Sequence, residues 1–329
     1  MTVPDLPDAD AVRAAAARLQ GKAVATPLLA SPRVDRRLGG RLLVKAETLQ
    51  RTGSFKFRGA FNRIRQIAQE DRAKGVVAFS SGNHAQGVAA AAALFSMPAL
   101  IVMPKDVPTP KLEGTRALGA EVVFYDRRTD DREAIALALC IERGATLVPP
   151  FDDFYVVAGQ GTVGLEMARQ AAARGVTLDA VLAPCSGGGL IGGIALAFSA
   201  ISPATRIVSV EPECYDGMKR SLATGHRVVA PGGIPSVADA LMAPVPGEIP
   251  FALATRHLHD SLTIGDSEFL AATAYAATSL KLLVEPSGVA GLAAVISGRF
   301  QTFGTSIGVV LTGANCDLAA ISAASRRTG

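Results

Sequence analysis

Chemistry in this chain concentrates in four short segments. In Ser54-Phe55-Lys56-Phe57-Arg58-Gly59-Ala60 a lysine stands between two phenylalanines at the start of a helical stretch. Burial beside aromatic rings disfavours the ammonium form, lowers the pKa and makes the amine a better nucleophile toward a carbonyl. The competing reading is a surface lysine whose stem covers apolar neighbours. Ser80-Ser81-Gly82-Asn83-His84 follows the apolar run Val76 to Phe79. Hydroxyls, an amide and free backbone donors at a strand's carboxyl end, ahead of a helix, suit a carboxylate or a ring oxygen. His84 invites a Ser/His hydrolase, but no GxSxG elbow accompanies it and the chain has only four histidines.

Two glycine-rich segments complete the set. Gly159-Gln160-Gly161-Thr162-Val163-Gly164 matches GxGxxG, with Asp179 about 20 residues on, as in a dinucleotide fingerprint. Asp179, however, precedes the next strand, whereas the fingerprint's acid ends one. Tight packing at a helix entry is the stronger reading, and an NAD-dependent dehydrogenase is the rival from another class. Pro184-Cys185-Ser186-Gly187-Gly188-Gly189 sits between the strand Ala180 to Ala183 and the helix-like Leu190 to Ala200. Strand, glycine turn and helix is the arrangement in which free N–H groups hold a phosphate. With no GK[ST] ending, it suits one phosphate monoester better than a triphosphate.

The elements that must position these residues alternate along the chain. Short β-branched runs read as strands: 42–44, 76–79, 99–102, 122–125, 180–183, 207–210 and 307–311. Ala-rich stretches of helical spacing lie between them: 10–19, 59–72, 86–94, 110–118, 131–142, 160–172, 190–200, 267–282 and 288–297. Continuous apolar strands separated by helices indicate parallel sheet covered on both faces, so the fold class is α/β, doubly wound. The Pro- and Gly-rich stretch from Pro231 to Pro250 reads as a structured loop.

Composition narrows the partners. Of 329 residues 49% are apolar and 19% charged, ample for a large core, and the length suggests two domains. Aromatics are 5% with no Trp, and 33 Lys and Arg face 29 Asp and Glu without a basic block, which argues against nucleic acid and membrane surfaces. The longest apolar run, Val88 to Phe95, is far short of the roughly 20 residues of a membrane span. Cys140, Cys185, Cys214 and Cys316 lie far apart with no CxxC pair, and the N-terminus lacks a signal-peptide core. Reduced thiols in the cytoplasm are the expectation.

Taken together, SFKFRGA, SSGNHAQG, AGQGTVGLE, SGGGLIGG and EPSGVAGLAA occur in an order and spacing that resemble the fold-type II pyridoxal-phosphate enzymes of the threonine/serine dehydratase and serine racemase group. The resemblance runs from Thr26-Pro27-Leu28 to Thr312-Gly313-Ala314-Asn315. It implies two doubly wound, tryptophan synthase β-like domains: a large cofactor domain (1–50 and 151–329) and a smaller mobile one (51–150). It implies that Lys56 carries pyridoxal 5'-phosphate and removes the Cα proton, with Phe55 beside it. Ser186, Gly187, Gly188, Gly189 and Leu190 hold the phosphate, Asn83 the ring oxygen and Thr312 the pyridine nitrogen, with Glu285 near the ring edge. Ser80, Ser81, Gly82 and His84 bind the substrate carboxylate with help from Arg132. Ser81 also stands where racemases place a second acid/base.

The implied activity is a dehydratase, an ammonia-lyase of EC 4.3.1 type, converting L-threonine or L-serine to a 2-oxo acid and ammonia. Serine racemisation or dehydration of a hydroxyaspartate are rivals on the same scaffold. The family's Mg or Ca site uses a Glu, a carbonyl and an Asp six residues after the Glu. Glu211 fills the first place, but the sixth is Gly217, with Asp216 beside it, so the cation is in doubt. The usual Ser-Gly-Gly-Asn is here Thr312-Gly313-Ala314-Asn315, which adds a methyl in a tight turn. The segment after Asn315 is too short for a regulatory domain. The family suggests a homodimer or homotetramer acting on a small amino acid.

Overall fold

The computed structural model describes residues 5–107, 109–317 and 322. In chain order it begins with α1 (Ala9–Leu19), β1 (Leu28–Ala30), α2 (Pro32–Leu38), β2 (Arg41–Ala46), α3 (Lys56–Arg65) and β3 (Val76–Phe79). There follow α4 (Asn83–Ala93), β4 (Ala99–Pro104), α5 (Thr109–Ala117), β5 (Glu121–Tyr125), α6 (Arg132–Arg143) and β6 (Thr146–Leu147). The remainder is α7 (Phe154–Ala172), β7 (Ala180–Pro184), α8 (Gly189–Ile201), β8 (Arg206–Pro212), α9 (Gly217–Thr224), α10 (Glu248–His257), β9 (Asp260–Ile264), α11 (Asp266–Tyr275), α12 (Ala290–Ile296) and β10 (Ser306–Leu311).

The strands form two sheets, β1-β2-β10-β7-β8-β9 and β5-β4-β3-β6. Every pairing is parallel except β1 with β2, an antiparallel edge. The central strands read as unbroken apolar runs because helices cover both faces. Val309 and Leu182 are fully buried on one side of the large sheet, while Val310 and Val181 face a second core on the other.

Two differences from the sequence reading have local causes. Helix α7 starts six residues early because the Asp153 side chain accepts from the Val156 N–H and caps it. Helix α10 emerges from the stretch read as a loop, since Pro250 falls in its first turn, where a missing N–H costs nothing. The Asp152 carboxylate, from a distant segment, accepts from the Glu248 and Ile249 amides at 2.8 and 3.0 Å. That partner has no local sequence signal. Strands β1, β6 and β9, too short or too polar to show a period, were not visible in the sequence either.

The GxGxxG segment lies inside α7, not at a strand-to-helix turn. A Cβ on Gly159 would stand 2.7 Å from the Gly59 Cα, and one on Gly161 2.7 Å from the Gly193 carbonyl oxygen. These glycines let α7 press against α3 and α8. The segment has no dinucleotide geometry, which removes the sequence basis for a dehydrogenase.

Candidate active site

The end of β10 is stitched to the start of α3. Ser54 bridges Gly313, and the Phe55 N–H donates to the Thr312 carbonyl at 3.1 Å. Lys56, the first residue of α3, opens into a cavity of about 210 Å³ that runs between the carboxyl ends of the two sheets. Its Nζ donates to the Pro150 carbonyl at 2.7 Å and lies 5.3 Å from the centre of the Phe55 ring. Burial of the amine pulls its pKa down to about 8.

Two residues on, Arg58 anchors α3 from behind. It is fully buried and forms two forked pairs, one with Glu47 (2.8 and 2.8 Å) and one with Glu166 (2.7 and 2.9 Å). Buried Lys45 donates to Glu166 and to the Thr26 carbonyl, both at 2.7 Å. Two cations and two carboxylates thus balance inside the protein and tie α3 to β2 and α7.

Asn83, the first residue of α4, donates its amide to Glu285, and its Oδ1 accepts from Asn315 at 2.8 Å. Asn315 also donates to the Thr52 carbonyl at 2.7 Å. A Cβ on Gly313 would press on the Glu285 carboxylate and the Asn83 amide, so a larger residue here would displace both. Ala314 is free of left-handed strain and donates its N–H to the Gly53 carbonyl at 2.9 Å, so the extra methyl is accommodated. Burial pushes Glu285 up to about 7 against the pull of the Asn83 amide. Thr312 lines the same cavity, 5% exposed.

On the opposite wall, Gly187, Gly188, Gly189 and Leu190 lead into α8, where the first amides of a helix have no acceptor of their own. Gly188 adopts φ 92°, and a Cβ on Gly187 would meet the Phe151 ring at 2.3 Å. Ser186 Oγ accepts from the Ala243 N–H at 3.1 Å, which fixes the loop's start.

Ser80, Ser81, Gly82, His84 and Arg132 also line the cavity. Ser80 Oγ accepts from the Gly82 N–H at 3.2 Å and shapes the turn. Arg132 lies over the Phe79 ring, 5.4 Å from its centre. His84 departs from expectation. It is buried, its Nε2 meets the Val148 carbonyl at 2.8 Å, and burial pulls its pKa down to about 3. A neutral ring donating through Nε2 leaves Nδ1 as an acceptor with no hydrogen-bond partner among the described residues. Its side chain therefore suits a substrate hydroxyl or amine, not a carboxylate; the amides at the start of α4 remain for the carboxylate. Lys111 and Asp239, paired at 2.7 Å, complete the wall. Neither carries a local motif, because Lys111 comes from α5 and Asp239 from a loop, and only the folded chain joins them.

A buried amine of lowered pKa, a helix-start glycine loop, an amide held toward the ring's place and a neutral hydroxyl fit pyridoxal phosphate. The profile of the "Pyridoxal-phosphate dependent enzyme" family matches residues 19–313. The chain belongs to this family. The chain is 43% identical to an L-threo-3-hydroxyaspartate ammonia-lyase of Pseudomonas sp. over 92% of this chain and 94% of the relative. A threonine deaminase of T.th. superposes with a TM-score of 0.88 at 43% identity, covering 95% of this chain and 99% of that one. Maize serine racemase superposes with a TM-score of 0.91 at 36% identity, covering 98% of each. The expected fold class, fold-type II α/β, and the expected cofactor are those of the family.

The family's divalent cation does not fit here. Glu211, expected to anchor Mg or Ca, is fully buried, and its two oxygens accept from the Met218 and Lys219 amides, each at 2.9 Å. Asp216 instead pairs with Arg220 at 2.6 Å, and the sixth position is Gly217. Among the described residues no three His, Cys, Asp or Glu side chains gather as a metal site. No described helix is long and apolar enough to cross a membrane.

Proposed function

We propose that this protein is a cytoplasmic ammonia-lyase that eliminates the β-hydroxyl of a β-hydroxy α-amino acid and yields a 2-oxo acid and ammonium. The observation that carries the reading is Lys56. Its amine is buried, brought near neutrality and set in one cavity with the glycine loop and Thr312. Pyridoxal phosphate, when bound, supplies an electron sink for the substrate's Cα.

The chain's own residues do the rest. Amides of Gly187 to Leu190 take the phosphate, Asn83 the ring oxygen, and Thr312 meets the ring nitrogen without a negative charge. The amides at the start of α4, with Ser81, hold the substrate carboxylate. Lys56 Nζ, freed as the substrate amine enters, takes the Cα proton; the hydroxyl leaves with its bonding pair and receives that proton back from the Lys56 ammonium, departing as water. His84 Nδ1 accepts from the substrate hydroxyl and orients it. Water then releases ammonium from the unsaturated product, so the elements of water balance overall.

Arg132 favours an acidic β-substituent, while Lys111 is already paired with Asp239, so among the relatives' named substrates 3-hydroxyaspartate suits the cavity better than serine or threonine. A 2-oxo acid assay across L-threo-3-hydroxyaspartate, L-threonine and L-serine tests this, with the first giving the highest kcat/KM. The purified protein should be yellow and lose both colour and turnover as Lys56→Ala. A colourless protein, or activity retained in that variant, refutes the reading. Racemisation through Ser81 is read separately: L-serine in D₂O should give deuterated D-serine only if Ser81 exchanges a proton.

The reading extends to mobility and assembly. Segment 51–150, holding the four-stranded sheet, would close over the substrate, which protease protection on ligand binding checks. The family resemblance suggests a homodimer or homotetramer, to be measured by sedimentation.

A further inference from the structure

Glu211 sits at the end of β8, immediately behind the phosphate loop, whose Cys185 N–H donates to the Val210 carbonyl at 2.9 Å. Its carboxylate faces the start of α9, taking the Met218 amide on one oxygen and the Lys219 amide on the other. Ser261 Oγ approaches at 3.4 Å, and no arginine or lysine side chain pairs with it among the described residues. The positive end of a helix therefore stands where the family would use a cation. Helix α9 in turn supports the loop: Met218 Cε lies 2.6 Å from where a Gly188 Cβ would be, filling the space beneath that glycine. Met218 is itself fully buried.

We propose that Glu211 is a positioning residue that clasps α9 under the phosphate loop and makes this enzyme independent of divalent cations. This rests on the pyridoxal-phosphate reading above. It goes beyond that reading by assigning a buried carboxylate outside the cavity to retention of the cofactor's phosphate. Removing the clasp lets Met218 and the loop above it shift, so the cost falls on cofactor binding and not on the reaction of bound substrate.

The test uses the holoenzyme. In the wild type, EDTA followed by dialysis should leave pyridoxal-phosphate content and Tm unchanged, and added MgCl₂ or CaCl₂ should give no saturable shift. Glu211→Ala should raise the pyridoxal-phosphate dissociation constant roughly 10- to 100-fold, the worth of two ordinary hydrogen bonds. Glu211→Gln keeps the shape and one acceptor, and should raise it by a smaller factor, about 3- to 10-fold. In both, kcat at saturating pyridoxal phosphate and KM for substrate should stay within about twofold, and the ³¹P signal of the bound phosphate should broaden or move. Cofactor affinity within twofold of wild type in both variants overturns the clasp. Cofactor or stability lost to EDTA and restored by Mg²⁺ or Ca²⁺ overturns the cation independence. A wild type that binds no pyridoxal phosphate refutes the underlying reading instead.

Discussion

Arg58→Met replaces a fully buried guanidinium by an apolar side chain of comparable length. The substitution strands Glu47, which is itself fully buried and, among the described residues, keeps only the Thr26 hydroxyl as a side-chain hydrogen-bond partner. Glu166 is less affected, because it is 26% exposed and retains Lys45. Removing one partner of a buried pair typically costs about 3–5 kcal/mol, whereas an exposed pair is worth at most about 1 kcal/mol. The burial of Glu47 therefore places the expected loss in the upper range. Urea unfolding of the cofactor-free protein, followed by far-UV circular dichroism with the m-value checked for constancy, measures it. Adding Glu47→Gln to Arg58→Met should return at least about 1 kcal/mol, since the stranded charge is gone. A loss below about 1 kcal/mol for Arg58→Met, or no recovery in the double variant, would show that the network is not what fixes α3.

Gly159→Ala separates two readings by sign. Helix propensity alone would stabilise by about 1 kcal/mol, but the new Cβ meets backbone of α3, so a net loss of about 1–3 kcal/mol in urea is expected. Gly187→Ala drives a methyl into the Phe151 ring, and a pyridoxal-phosphate affinity unchanged from wild type would contradict the role given to that loop. Glu285, raised to about 7 by burial, keeps its proton in the native state at pH values where the unfolded chain has lost it. At this site the native state thus binds more protons between roughly pH 4.5 and 7, and the Glu285 contribution to the stability of the cofactor-free protein should fall across that window as pH rises, against the opposite contribution of His84. Glu285→Gln should remove a share of up to roughly 3 kcal/mol from that decline, seen in urea midpoints at about pH 5 and pH 7.5.

Much of the site was legible in the sequence because its groups are local. Lys56 beside Phe55, the amides that follow Ser186 and the turn at Ser80 to His84 each lie within a few residues, so a short window carries their chemistry. The apolar runs marked the central strands for the same reason, since strands buried on both faces carry no polar alternation. Where function depends on partners far apart in the chain, the sequence was silent or misleading. GxGxxG imitates a ligand loop; tight packing is the stronger reading, but its partners, Gly59 against Gly159 and Gly193 against Gly161, are contacts that only the helix crossings reveal.

The sequence by itself thus determined the fold class and singled out Lys56 and the glycine loop for the roles proposed for them, because covalent neighbours and hydrophobic period are enough to mark them. Tertiary structure decided which atoms are left to work. It turned His84 from donor to acceptor by giving its Nε2 to Val148, committed Glu211 to the amides of α9, and set Lys111 against Asp239. Hydrogen-bonding capacity is finite, so the role of a polar side chain depends on the partners that folding brings to it.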